Sequence, residues 1–184
     1  LDGATVNCSG TIYSGNDPDA VGSSFVVSNA TFNCKANATT YFYFAYKGPT
    51  NSFSVLNGGK LLLDNYSVNV GYAATASDSV MTVGKDAEWK VVKANGTHYI
   101  GNVAPRCRLI VDNGKVDVAG QVLYVGNGAT ATGCALEVKG SDGRLEANDL
   151  WIGGYNATEC EMMLDGGKVT VTGTFSLGGN ADAT

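Results

Sequence analysis

The chain has 184 residues, a net charge of −5, 44% hydrophobic and only 16% charged residues, and 25 Gly against 3 Pro. It is too apolar for disorder and long enough for one domain with a sizeable core. Twelve Lys and Arg lie scattered without a basic stripe, which excludes a nucleic-acid surface, and no apolar run is long enough to span a membrane.

Self-similarity runs along the whole chain. Leu1 to Ser23 reads as a partial unit without an opening strand, and Ser24 to Thr50, "SFVVSNATFNCKANATTYFYFAYKGPT", as a divergent complete one. Regular units follow from Asn51, "NSFSVLNGGKLLLDNYSVNVG", and from Ser79, "SVMTVGKDAEWKVVKANGTHYIG". Three more each open on a cysteine: "CRLIVDNGKVDVAGQVLYVGNGAT" from Cys107, "CALEVKGSDGRLEANDLWIGGYNAT" from Cys134, and "CEMMLDGGKVTVTGTFSLGGNADAT" from Cys160. The period is 25 to 28 residues.

Each unit holds three short alternating runs, such as Leu109 and Val111, Val116 and Val118, and Leu123 and Val125. Alternation of period two means strands with one buried face, and Gly, Asn and Asp between the runs supply tight corners. No helical period occurs. A three-stranded unit cannot bury its own apolar face, but stacked units can. The expectation is an all-β, right-handed parallel β-solenoid with three short strands per rung and about seven rungs, forming one domain over 1–184. Residues 1–50 would be its divergent rungs and 51–184 its regular ones. An antiparallel sandwich could also show short strands and Gly turns, but would not keep seven copies in register. The inward ladder would run Phe53, Met81, Leu109, Leu136 and Met162.

Phrases such as "LYVGNGAT" (Leu123 to Thr130) and "LDGGKVTV" (Leu164 to Val171) resemble the Gly/Thr/Val-rich strand repeats of secreted bacterial autotransporter- and adhesin-type β-solenoids. That resemblance implies the solenoid fold and says little about activity.

Cysteine spacing tests the register. Cys8 and Cys34 stand 26 residues apart, and Cys107, Cys134 and Cys160 follow at 27 and 26, so each set would form a ladder about 4.8 Å per step. That separation admits a disulfide with local bending, and a Cys8–Cys34 bridge is expected in an oxidising compartment, with one further bond possible in the triple ladder. Six Asn-x-Ser/Thr acceptors (Asn7, Asn29, Asn37, Asn65, Asn95 and Asn156) exceed the roughly 2.4 expected by chance from 16 Asn and 28 Ser plus Thr. Used as N-glycan sites, they place the protein outside the cell or at its surface.

Chemistry is sparse. The single His98 should face inward beside Ile100, and no nucleophile, carboxylate pair or four-ligand zinc spacing accompanies it. The acidic residues Asp64, Asp112 and Asp165 fall at or near turns, and no calcium nonapeptide occurs. We expect no enzyme, metal or cofactor. Third strands place Tyr13, Tyr43, Tyr99, Tyr124 and Trp151 outward, a broken aromatic ladder interrupted at Asn69 and Ser176. The last rung runs as a good repeat up to "NADAT" without a polar cap, and the first lacks its opening strand. Uncapped ends favour a structural subunit of a glycosylated extracellular filament, polymerising with itself head to tail. The alternative is an adhesin or carbohydrate-binding stalk, part of a longer secreted solenoid, that uses the aromatic face.

Overall fold

The computed structural model describes residues 3–93 and 96–179. Among them are sixteen strands and no helix. A partial first turn holds β1 (Thr5–Cys8) and β2 (Ile12–Tyr13). Next come β3 (Ser24–Ser28) with β4 (Thr31–Phe44), β5 (Ser52–Leu56) with β6 (Lys60–Val70), and β7 (Val80–Val83) with β8 (Glu88–Lys93) and β9 (Thr97–Ile100). They are followed by β10 (Arg108–Asp112) with β11 (Lys115–Val125), and β12 (Ala135–Lys139) with β13 (Arg144–Ile152). The last described turn holds β14 (Glu161–Asp165), β15 (Lys168–Val171) and β16 (Phe175–Leu177).

All these strands pair in parallel with the equivalent strand one turn away, giving a β-solenoid of about six turns. One sheet runs β14-β12-β10-β7-β5-β3, and a ten-stranded sheet carries the rest. Second and third runs of a unit join into one bent strand in β4, β6, β11 and β13. The bend shows as register shifts at Lys35/Thr40, Leu63/Asp64 and Val118/Val122. An irregularity of this kind lets a strand turn a corner without leaving its sheet, so the three runs of a unit are shared between two sheets.

The alternation of the sequence becomes columns of side chains. Phe25, Phe53, Met81, Leu109, Leu136 and Met162 are register partners down the first sheet. Val6, Phe32, Leu61, Trp89, Val116, Leu145 and Val169 form the matching column in the second. From Phe53 to Leu136 and from Leu61 to Leu145 these columns are fully buried.

The corners obey the same periodicity. Where the third run ends, Gly71, Gly101 and Gly126 adopt φ of +71°, +73° and +74°, and a Cβ on any of them would fall on the sulfur of Cys107, Cys134 or Cys160 respectively. Each glycine therefore meets two demands, a left-handed backbone and room for the cysteine packed against it. Those cysteines continue a column that begins as Ser23, Asn51 and Ser79, linked turn to turn by backbone hydrogen bonds such as Val80 N–H to Asn51 O and Arg108 N–H to Ser79 O. The cysteine thiols donate one turn back, to the carbonyls of Ala76, Ala104 and Ala131 at 3.6, 3.4 and 3.3 Å, whereas Asn51 Nδ2 and Ser79 Oγ donate to the nearer carbonyls of Gly48 and Ala76.

Candidate functional site

Three surfaces bear on function: the two ends of the column and the outer face of the third runs. At the N-terminal end β3 is the edge strand of its sheet among the described residues. A cavity of about 250 Å³ opens there, lined by Ile12, Phe25, Phe32, Phe42, Phe44 and Phe53 among others. At the other end, the inward-pattern residues Leu164, Phe175 and Leu177 are each more than half exposed. Their register partners one turn earlier, Val138, Leu150 and Ile152, are buried. Both ends of the described column thus present unpaired strand edges flanked by apolar side chains, the arrangement that accepts another parallel strand.

On the outer face, register places Tyr13, Tyr43, Asn69, Tyr99, Tyr124, Trp151 and Ser176 in one file. Tyr13 stacks on Tyr43 with centroids 5.2 Å apart, Tyr99 on Tyr124 at 5.5 Å, and Tyr124 on Trp151 at 5.9 Å, with interplanar angles of 14°, 12° and 22°. Stacking along the column spends the ring faces on one another and turns ring edges to solvent. Asn69 divides the file into an upper and a lower group, and is itself buried.

Sequence reasoning counted one aromatic per rung and missed four. Tyr41, Tyr46 and Tyr72 join Tyr13 and Tyr43, and Tyr155 joins Tyr124 at 5.8 Å. Tyr41 was legible, since it stands two residues before Tyr43 and alternation sends both outward. Tyr46, Tyr72 and Tyr155 lie in corners, where no simple period assigns a direction.

The acceptor asparagines divide by environment. Asn7, Asn29, Asn37 and Asn156 are exposed, Asn29 in a left-handed corner at φ +45°, whereas Asn95 lies outside the described residues. Asn65 departs from expectation. It is buried in a left-handed conformation at φ +62°, and its amide nitrogen donates to Ala36 O at 2.8 Å. In this conformation the amide of Asn65 serves the bend, its nitrogen engaged by the Ala36 carbonyl.

The expected disulfides are not formed. Cys8 and Cys34 are register partners, and Cys107, Cys134 and Cys160 occupy successive turns, yet all five stand as thiols. Parallel strands direct equivalent side chains along parallel vectors, which keeps the Cβ atoms at the strand spacing and above the disulfide optimum. Burial pushes the thiols of Cys34 and Cys107 up to about 12, and a hydrogen bond with Cys160, helped by burial, raises Cys134, so these sulfurs stay protonated at neutral pH.

His98 is fully buried, its ring set edge to face against Trp89 with centroids 5.5 Å apart. Its Nδ1 accepts the Val68 backbone N–H at 3.1 Å, so Nε2 carries the proton of the neutral ring. Burial lowers its pKa to about 3. Such a histidine packs and accepts a backbone donor; it has no path to a substrate. Among the described residues no group of three or more His, Cys, Asp or Glu side chains is placed to hold a metal ion. Comparison with known protein families, curated proteins and solved structures found no match to this chain, so the repeat resemblance extends to the solenoid arrangement and function rests on the surfaces above.

Proposed function

We propose that this chain is a structural subunit of an extracellular, N-glycosylated filament in which copies stack head to tail. The observation that carries the reading is the pair of end faces: a phenylalanine-lined cavity at β3 at one end, and exposed Leu164, Phe175 and Leu177 at the other. Each rung interior to the described column is buried by its two neighbours, and among the described residues the end rungs have one each. A second copy in the same orientation supplies the missing neighbour at both ends. The contact is heterologous, and because translation along one axis never closes on itself, it propagates. Glycans on Asn7, Asn29, Asn37 and Asn156 would decorate the flanks of such a column and oppose sideways association.

The stacked aromatic file supports an adhesin or carbohydrate-binding stalk less well. A sugar platform presents ring faces, and here the faces are turned to one another.

Electron microscopy and fibre diffraction of the purified chain test the filament reading. We expect unbranched filaments with a meridional repeat at about 4.8 Å, the rung spacing. A population that stays monomeric at every concentration rejects the filament, and retention on immobilised polysaccharide, abolished by Tyr124→Ala with Trp151→Ala, transfers the case to the stalk.

A further inference from the structure

Five tyrosine rings converge on one outer corner of the first three turns. Tyr43 is the hub, with ring centroids 5.2 Å from Tyr13 and from Tyr41 and 4.9 Å from Tyr46 and from Tyr72. Tyr46 stacks on Tyr72 at 5.0 Å with planes 11° apart and meets Tyr13 edge-on at 5.2 Å. Tyr13, Tyr41 and Tyr72 remain 51%, 42% and 36% exposed. Packing asks for rings and not for hydroxyls. On the inward side of the same turns the aromatic positions 25, 32, 42, 44 and 53 are Phe, and buried Tyr66 has a partner for its hydroxyl, which donates to Gly10 O at 2.8 Å. On the outward side every ring of the cluster carries a phenol.

We propose that this cluster is a modification site for oxidative tyrosine coupling, joining phenols on neighbouring turns by a carbon–carbon bond, with hydrogen peroxide and a haem peroxidase as oxidant. Each of two phenols loses one electron to the oxidised peroxidase and one proton to water, leaving two phenoxyl radicals. The radicals combine through their ortho carbons. Each ortho hydrogen then moves to the phenolic oxygen as the rings recover aromaticity. The chain has lost two hydrogen atoms in all, and one peroxide has been reduced to two waters.

The fold supplies proximity. Rings whose centroids are about 5 Å apart are in van der Waals contact, so a radical finds its partner without diffusion of the chain. The pairs that bridge turns are Tyr13 with Tyr43 or Tyr46, and Tyr72 with Tyr43 or Tyr46. A bond in any of them ties the outermost turns to the column. The second group, Tyr99, Tyr124 and Tyr155, is an internal control. Its members are 5.5 and 5.8 Å apart and fewer, so coupling there is slower.

Dilute monomeric chain treated with peroxidase and hydrogen peroxide provides the test, and it does not depend on filament formation. Expected are dityrosine fluorescence in the monomer band, a mass loss of two hydrogen atoms, and cross-linked peptides that join Tyr13 or Tyr72 to Tyr43 or Tyr46. Replacing Tyr43→Phe together with Tyr46→Phe keeps the rings and should lower the intramolecular yield several-fold, with circular dichroism unchanged. Coupling that occurs only between chains, or that maps as often to Tyr99, Tyr124 and Tyr155, overturns the proposal. So does a yield unaffected by the double replacement.

Discussion

The fifth turn and the last turn carry nearly the same sequence pattern and differ in everything burial can measure. "LIVDNGKVDVAGQVLYVG" has Leu109, Val111, Val116, Val118, Leu123 and Val125 fully buried. "MMLDGGKVTVTGTFSLGG" has the same alternation, yet Leu164, Phe175 and Leu177 are largely exposed. Propensity and pattern are therefore not what buries a rung. A neighbour on each side is, because in a solenoid the core of one unit is half made by the next.

The comparison breaks most visibly if a central residue proves dispensable. Leu123 is buried between the register partners His98 and Leu150, and Leu123→Ala should cost about 2–5 kcal/mol in denaturant unfolding. The neighbours are held by their own hydrogen-bonded strands and have little freedom to close the cavity. A cost below that range would mean that rungs relax individually and that the column is not one cooperative unit.

Acid distinguishes the same interior from the ends. His98 titrates near 6.5 in the unfolded chain and near 3 in the folded one, so between those values the unfolded state binds the extra proton. Stability should then fall as pH drops from 6.5 towards 3, by up to about 1.4 kcal/mol per unit from this group alone. Its ring meets Trp89, and desolvation is the cause of the shift, with no charged partner to offset it. Denaturant midpoints at pH 5 and 6.5 give the readout, above the range where most carboxylates contribute. His98→Gln should flatten that interval; an unchanged slope would assign the acid sensitivity elsewhere.

The corner glycines sharpen the comparison at a smaller scale. Gly126→Ala places a methyl on the Cys160 sulfur at φ +74°, whereas nothing lies within 4 Å of the Cβ position at Gly178, φ +69°. Both pay for the left-handed backbone, about 1 kcal/mol, and only the interior one adds a clash. Gly126→Ala should therefore be the more destabilising, and Cys160→Ala should recover part of the difference in a double-mutant cycle, the contacts with Ala131 O and Ala157 Cβ remaining. Additive costs would show that the sulfur gives way freely.

Much of this architecture was legible because it is periodic. Phe53, Met81, Leu109, Leu136 and Met162 fall one turn apart, and a parallel stack turns that spacing into contact. The outward file from Tyr13 to Trp151 follows from the same register. What stayed hidden depends on local direction rather than period. Asn65 reads as an acceptor like Asn37, but a bulge at Leu63/Asp64 and a left-handed bend turn its amide onto Ala36 O. The thiols align as expected, yet the parallelism that aligns them also holds them apart. Corner tyrosines such as Tyr46 and Tyr72 converge through turn geometry that no alternation encodes.

The smallest expected effect on stability is the one most diagnostic of function. Leu177 is 66% exposed, and its register partner one turn back is Ile152. Leu177→Ser should leave the denaturant midpoint of the monomer within about 0.5 kcal/mol, as for an exposed position with no special role. In a stack the same side chain is covered by the next copy, and burying a leucine is worth about 1.5–3 kcal/mol, roughly one to two powers of ten in the association constant. Light scattering against concentration should therefore show the onset of assembly displaced upward while the fold is untouched. An unchanged onset would mean that this face is not where copies meet, and loss of monomer stability would mean that Leu177 already belongs to the core.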